Sequence, residues 1–481
     1  MKTSCFMNST AITKKLNGKP EKLLAYFPII VLPMFAGVAR PWLWSGAAGI
    51  FLVIFALFLL VSKDLISPRG LRKPLFLLLP ILAYPFVQII PLPLPLISVL
   101  SPQRAQWLHR SLDATGVSRW GASLSYVPLD TFMSGLWILT LALFALVLRR
   151  SMRDGIIEPG KLLAVLFVVA GLEALYGIFQ VLVSSAGHGF VEGAHGTFAN
   201  RNHYAAFLGM IWPLQLVWLW RLGGKNNRTG SFYEKETRRE GREKQLFFIF
   251  LTGLVLLSLI FSGSRGGIIS LCIGTTVLAY FGGRRSRSIV PILIGCWVII
   301  LAYGSIIGFE GILKRFAEIE HDAPGRFKIW QFTWKLICDN WLTGTGVGTY
   351  RPVIFLYQVF DTDLLQVGAA HCDYLQIASE WGLPFSLFIF SLVWGYWWAT
   401  ARGAAKKSAG EQKPLETDEK LIRIGALASS AAFLSHVWVE FNWQIPANQL
   451  YFVILLVLMR YKEPGSRKHE ARSGNQDFRS R

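Results

Sequence analysis

Leu162-Leu163-Ala164-Val165-Leu166-Phe167-Val168-Val169-Ala170-Gly171-Leu172-Glu173-Ala174-Leu175-Tyr176-Gly177-Ile178-Phe179-Gln180-Val181-Leu182-Val183 is an apolar run interrupted by one charged residue. It has the length, roughly 20 residues, that carries an α-helix across a bilayer. Its apolar positions are continuous, not alternating, which suits a helix in lipid and argues against a strand of a transmembrane barrel. Similar runs recur at roughly 23–39, 43–61, 75–97, 131–148, 204–220, 246–262, 266–281, 289–308, 383–400 and 424–441, with a shorter one at 450–460. The 481-residue chain is 53% hydrophobic, with a mean hydropathy of +0.42. These features predict an all-α, polytopic membrane protein with about 12 transmembrane helices.

The net charge of +20 would fit a nucleic-acid partner, but the placement of the basic residues excludes that class. With the N-terminus inside, 37 of the 49 Lys and Arg fall in inside segments and 12 in outside segments. That is the positive-inside bias, and it assigns both termini to the cytoplasm. The basic loops 62–74 and 149–161 are orientation signals, and the charged stretch 221–245 reads as a solvated cytoplasmic linker. Topology disfavours the outer Lys and Arg, so these are the informative ones. Met1 to Lys22 is polar and basic, and the run behind it lacks a small-residue cleavage site, so the first span is read as uncleaved. Cys5 is cytoplasmic, Cys272 and Cys296 lie in spans, and Cys338 and Cys372 share the outer face without defining a disulfide.

One long polar and aromatic segment, Phe309 to Trp381, is held on the outer face. In it Asp322-Ala323-Pro324-Gly325 reads as a helix start, with Pro in the first turn. Trp330, Trp334, Ile337 and Trp341 follow at helical spacing as an apolar stripe, while Arg326, Lys328, Lys335 and Asp339 are polar, which predicts an amphipathic helix in the plane of the interface. Gly344, Gly346 and Gly348 form a turn, read either as a close approach to a ligand or as a flexible connection. His371 through Glu380 and on to Pro384 reads as a short helix running into the next span.

Three other polar features lie outside or near the outer ends of spans. Glu173 sits near the middle of its span and Gln180 near its outer end; a carboxylate at that depth faces a polar cavity or a structural partner. Asn200, Arg201, Asn202 and His203 crowd the N-terminus of the sixth span, where free N–H groups suit an anion and where Asn also serves as a helix cap. Ser264-Arg265-Gly266-Gly267 opens the eighth span: Ser264 can cap, and Arg265 offers a planar fork for phosphate oxygens. The outer loop 98–130 carries no motif, and Pro91-Leu92-Pro93-Leu94-Pro95 before it ends the third span. The shared chemistry of the outer motifs is cationic and hydrogen-bond donating, which fits a membrane-borne dianion such as a lipid diphosphate. No Walker or dinucleotide pattern provides a cradle for a soluble nucleotide.

Gly196-Thr197-Phe198 with Asn200 and Asn202, the Ser264-Arg265-Gly266 turn, Gly325-Arg326 with Trp330, the Gly344 to Gly348 turn, and His371-x-Asp373-Tyr374-Leu375-Gln376 with Glu380 and Gly382 together resemble the O-antigen ligase and O-antigen polymerase superfamily. The resemblance covers about 162–400, which divides the chain into N-terminal membrane helices (1–161), a ligase-like catalytic region (162–400) with the outer loop 309–381, and C-terminal membrane helices with a cytoplasmic tail (401–481). It implies an inverting, GT-C-type glycosyltransferase, without metal or other cofactor, that moves a glycan from an undecaprenyl diphosphate carrier to an acceptor hydroxyl on a glycolipid or glycan. The enzyme would work on the periplasmic face of the inner membrane. It maps the essential Arg to Arg265, the essential His to His371 and a second basic position to Arg326. Cys372 departs from the Asn common at that position. Arg265, Arg326 and Arg201, with Asn200 and Asn202, would hold the diphosphate, and Glu173, Asp373, Tyr374 and Glu380 would support the site. His371 would either take the acceptor proton or bind phosphate. Ligase, polymerase and protein O-oligosaccharyltransferase differ only in acceptor; a transporter of lipid-linked glycan is the reading from another class.

Overall fold

The computed structural model describes residues 19–35, 68–185, 193–226, 233–282, 319–358, 367–406 and 418–462, with isolated helical positions between 49 and 55 and at 291 and 294. In chain order the elements are α1 (Lys19–Phe35), α2 (Pro68–Gln88), β1 (Leu92–Pro93), α3 (Leu94–Leu100), α4 (Pro102–Thr115), β2 (Gly121–Ala122), α5 (Pro128–Arg153), α6 (Pro159–Ser185), α7 (Arg201–Asn226) and α8 (Tyr233–Phe261). They continue as α9 (Arg265–Phe281), α10 (Ile319–Asp339), α11 (Tyr350–Ile354), α12 (Asp373–Trp381), α13 (Leu383–Lys406), α14 (Asp418–His436), a 3₁₀ turn at Asn442–Gln444 and α15 (Pro446–Leu458).

Among the described residues five helices are long and apolar enough to cross a membrane, lying within α5, α6, α7, α8 and α13. Leu77–Gln88, Arg265–Phe281 and Pro446–Leu458 are shorter apolar helices beside them. The runs expected at 43–61 and 289–308 lie almost wholly outside the described residues. The side chains separate into two environments. On α6, Leu172, Leu175, Phe179 and Leu182 recur at helical spacing and are all more than half exposed. Such an apolar stripe would be unfavourable in water and is at home against acyl chains. On α7, by contrast, Tyr204, Phe207, Leu208, Ile211, Trp212 and Leu214 are all buried. This helix is the centre of the bundle, packed against α6, α8, α9, α14 and α15. Small residues bring the axes together: a Cβ on Gly274 of α9 would lie 2.9 Å from Ala432 Cβ and 3.1 Å from the Ala428 carbonyl oxygen on α14. Close approach of this kind replaces the hydrophobic drive that is missing between helices in lipid.

Several boundaries differ from the sequence expectation. The run 75–97 is a helix only to Gln88, after which the proline-rich stretch forms β1 and opens α3. The run 424–441 ends as a helix at His436, and Val437 to Phe441 turn back across the bundle end. The stretch 221–245, read as a linker, is helical in α7 up to Asn226 and in α8 from Tyr233. The amphipathic helix α10 begins at Ile319, three residues before the expected start, so Pro324 lies past its first turn. The expected stripe is also divided: Ile337 is buried, whereas Trp334 on α10 and Trp341 beyond its end are more than half exposed.

The loop 98–130 proves to be structured. It supplies the end of α3, all of α4 and the strand β2, which pairs antiparallel with β1 before the loop, and it ties to the outer segment through a buried polar network. Gln88, fully buried at the end of α2, donates from Nε2 to the Thr343 and Glu380 carbonyls and accepts from the Val347 N–H. Tyr126 donates to Asn340 Oδ1 at 3.0 Å, and its N–H donates to the Thr345 carbonyl.

The glycine turn is the centre of that network. Gly344 and Gly346 take φ of +68° and +110°, and a Cβ on Gly344 would lie 2.2 Å from the Glu380 carbonyl oxygen. The glycines therefore let the backbone close on α12 and α5, and the turn is not a loose connection. Glu380 completes the lock, its carboxylate accepting from the Gly348 and Tyr350 N–H groups.

Candidate functional site

The chain alternates direction, so the N-termini of α7, α9, α13 and α15 and the C-termini of α6, α8 and α14 gather at one end of the bundle. Helix N-termini leave unpaired N–H groups, and side chains satisfy them here. Asn200 Oδ1 accepts from the Asn202 N–H at 2.8 Å and caps α7. Ser264 Oγ accepts from the Gly267 N–H at 3.1 Å and caps α9. Asn200 is thus occupied as a cap, and Arg265 stands exposed as the first residue of α9.

Two polar side chains from within α6 hold the segment before α7. Glu173 accepts from the Thr197 N–H at 3.0 Å and from the Thr197 hydroxyl at 2.9 Å. Gln180 donates to the Gly196 carbonyl and accepts from the His195 N–H. Glu173 is therefore a structural acceptor for the Gly196-Thr197-Phe198 motif, and the deep carboxylate on which a transporter reading would rest is already engaged.

The site closes on a residue that no sequence motif singled out. Glu440, 2% exposed, lies in the turn after α14 and receives side chains from three separate segments. Asn202 Nδ2 donates to its Oε1 at 2.6 Å, Arg326 Nη2 donates to the same oxygen at 2.7 Å, and His371 Nδ1 lies 3.2 Å from Oε2. Arg326 also donates from Nη1 to the Val439 carbonyl at 3.1 Å. Burial alone would raise the Glu440 carboxyl above its ordinary value, but the His371 hydrogen bond and the charges of Arg326, His371 and His203 outweigh it and hold the group below that value.

His371 lies just outside the helix in which the sequence put it. It precedes α12, which starts at Asp373, and it is the only non-glycine among the described residues at positive φ, +48°. A left-handed residue with a Cβ costs about 1–2 kcal/mol and persists where its surroundings fix it. Here Trp330 Nε1 donates to the Ala370 carbonyl at 3.0 Å, and the Ala370 N–H donates to Gln376 Oε1. Trp330 therefore anchors the histidine segment instead of completing the α10 stripe. Phe441 packs edge-on against both imidazoles, 5.0 Å from the His371 ring centre and 4.4 Å from that of His203. His203 Nδ1 in turn meets Asn442 Oδ1 at 2.8 Å.

The supporting residues fall into place around this centre. Asp373 accepts from the Trp443 N–H at 2.6 Å, which ties α12 to the turn beyond Glu440, and burial raises its carboxyl well above the ordinary range. Tyr374 donates to the Leu434 carbonyl on α14. Helix α12 does not run on into α13: Gly382, at φ +76°, breaks the chain between them, with its would-be Cβ 2.5 Å from the Leu342 carbonyl oxygen. Cys338 is exposed and Cys372 buried, and both are free thiols.

Arg265 joins the site through its neighbour. A Cβ on Gly266 would lie 2.8 Å from His436 Nε2 and 3.0 Å from Val439 Cγ2, so the start of α9 abuts the same turn that carries Glu440. His436 is buried there, and among the described residues neither ring nitrogen has a hydrogen-bond partner. The structure thus brings Asn202, Arg326 and His371 onto one carboxylate and sets the Arg265 turn beside it. Glu380 lies apart, in the glycine lock. Among the described residues no group of three His, Cys, Asp or Glu side chains is arranged to hold a metal ion.

A helical membrane protein with a cationic, histidine-bearing site at one end of its bundle is the class that fold and site define. Residues 249–390, under a third of the chain, match the family model described as O-antigen ligase, and this match supports the O-antigen ligase superfamily. No curated protein and no solved structure matches the chain. The matched stretch includes Arg265, Arg326, the glycine turn and His371; Asn202 and Glu440 lie outside it.

Proposed function

We propose that the chain transfers a glycan from an undecaprenyl diphosphate carrier to an acceptor hydroxyl on the periplasmic face of the bacterial inner membrane, as an O-antigen ligase. The observation that carries this reading is the meeting of His371, Arg326 and Asn202 on Glu440, beside the Arg265 turn. The acceptor oxygen bonds to the anomeric carbon as the bond from that carbon to the diphosphate oxygen breaks, and the electron pair leaves with the diphosphate. His371 Nε2 takes the hydroxyl proton. Arg265, with Arg201, answers the charge growing on the leaving group, a role in which fixed cations need no reorganisation. Arg326, already paired with Glu440, contributes its remaining donors.

The layout that goes with this reading has twelve spans, cytoplasmic termini, and α10 lying in the interface as part of a GT-C-type enzyme. Its regions are 1–161, 162–400 and 401–481. The test is incubation of the purified protein with a defined lipid-diphosphate glycan, followed by carrier release and product size. Single transfer to a glycolipid is expected; long ladders would make the enzyme a polymerase, and no carrier release would reject the transferase.

A further inference from the structure

Glu440 stands outside the family-matched stretch and at the end of what reads as an ordinary apolar run, yet it is the residue on which the site converges. Its Oε2 faces His371 Nδ1 at 3.2 Å, and its Oε1 accepts from both Asn202 and Arg326. A carboxylate has only acceptors, so the nitrogen that meets it must carry the proton. This fixes the tautomer: His371 holds Nδ1–H toward Glu440 and leaves Nε2 with its lone pair. Among the described residues Nδ1 is the only ring nitrogen of His371 in a hydrogen bond.

We propose that Glu440 is a positioning residue that makes His371 a base through Nε2, by fixing the ring and its tautomer and by stabilising the imidazolium formed when Nε2 takes the acceptor proton. The proposal rests on the transferase reading and chooses between the two roles open to His371, since a ring held by a carboxylate at Nδ1 presents Nε2 as a proton acceptor. Phe441 restrains the same ring from its edge, so consecutive residues of one turn set both its hydrogen bond and its plane. Arg326 and Asn202 have a second part in this arrangement. By occupying Oε1 they keep the carboxylate turned so that Oε2 meets His371. The titratable and charged groups that face Glu440 are His371, Arg326, His203, His436 and Asp373, so a change at this carboxylate registers against a fixed set of neighbours.

The test uses the full-length protein in detergent or nanodiscs, with Glu440→Gln, which keeps the shape and removes the charge, and Glu440→Asp as the conservative partner. Two readouts are taken. In transfer assays with a lipid-diphosphate glycan, Glu440→Gln should lower kcat about 10- to 100-fold, with KM for the donor little changed. Glu440→Asp should restore part of the rate. Nitrogen-15 NMR of histidine-labelled protein, with the His371 signal assigned from His371→Gln, should show the Nδ1–H tautomer in the native protein and a mixed population in Glu440→Gln. An unchanged kcat in Glu440→Gln would overturn the proposal, and so would a native His371 protonated on Nε2. A tautomer that responds to Glu440 in a protein that transfers no glycan would leave the positioning contact standing and reject the transferase instead.

Discussion

Asn202 and Glu440, 238 residues apart in the chain, share a hydrogen bond of 2.6 Å that joins the start of α7 to the turn after α14. An amide donor facing a buried carboxylate is worth about 1.5–3 kcal/mol, and its replacement by a second carboxylate reverses the sign of the contact. Asn202→Asp should therefore lower the melting temperature more than Asn202→Ala does. The excess should shrink as the pH falls below the ordinary carboxylate range and one of the pair takes up a proton. Equal melting temperatures for the two variants at pH 7 would show that the contact carries no weight.

Glu440 and Glu380 should respond to pH with opposite slopes. Glu440 is held below its ordinary value of 4.5. Its pairings thus contribute stability that is present above that pH and lost as pH falls through the lower folded value. Glu380 is pushed up to about 7 by burial, against the lowering effect of the Gly348 and Tyr350 N–H groups. Its contribution is complete below 4.5 and is lost as pH rises through about 7. Thermal unfolding across pH 3.5 to 8 should show Glu440→Gln flattening the acid side and Glu380→Gln flattening the neutral side. Slopes unchanged from the native protein in both variants would contradict these assignments.

Gly344→Ala should act on folding and not on substrate binding. The added Cβ meets the Glu380 carbonyl oxygen and must adopt a φ of +68°, so the left-handed strain of about 1–2 kcal/mol comes on top of a backbone clash. Low yield or a clearly reduced melting temperature is expected, with an unchanged KM in any protein recovered. A stable variant with a raised KM would return the glycine turn to the role of a ligand cradle.

Transfer should proceed at near its normal rate in chelator-treated, metal-free buffer, because in the proposed mechanism arginines offset the leaving charge in the way a divalent cation would. Loss of activity on chelation, with recovery on adding magnesium or manganese, would contradict that.

Much of this fold is legible in the residues, for physical reasons that also mark where reading fails. Apolar runs such as 162–183 have the length of a bilayer and become helices. Asn200 and Ser264 announce their caps because capping is local. Glu440 stays hidden because it follows Trp438 and Val439 and looks like the polar end of a span; its meaning comes from Asn202, Arg326 and His371, each distant in sequence. The glycine turn misleads for the same reason, since the surfaces it closes on, Gln88, Ser125 and Glu380, belong to three other segments. The loop 98–130 offers no periodic pattern, and its order comes from packing against Asn340 and Thr345.

The central claim is that Arg265 answers the charge of a leaving diphosphate, and it is tested most directly by transfer from a defined lipid-diphosphate glycan with Arg265→Lys. The variant keeps the positive charge and the Ser264 cap but loses the planar fork, because an ammonium cannot make the paired contacts of a guanidinium. The protein should express and melt as the native one does, while single-turnover transfer falls by most of its rate, as it should also for His371→Ala. Near-normal transfer by Arg265→Lys would contradict the account and leave Arg265 as a topology or capping residue only.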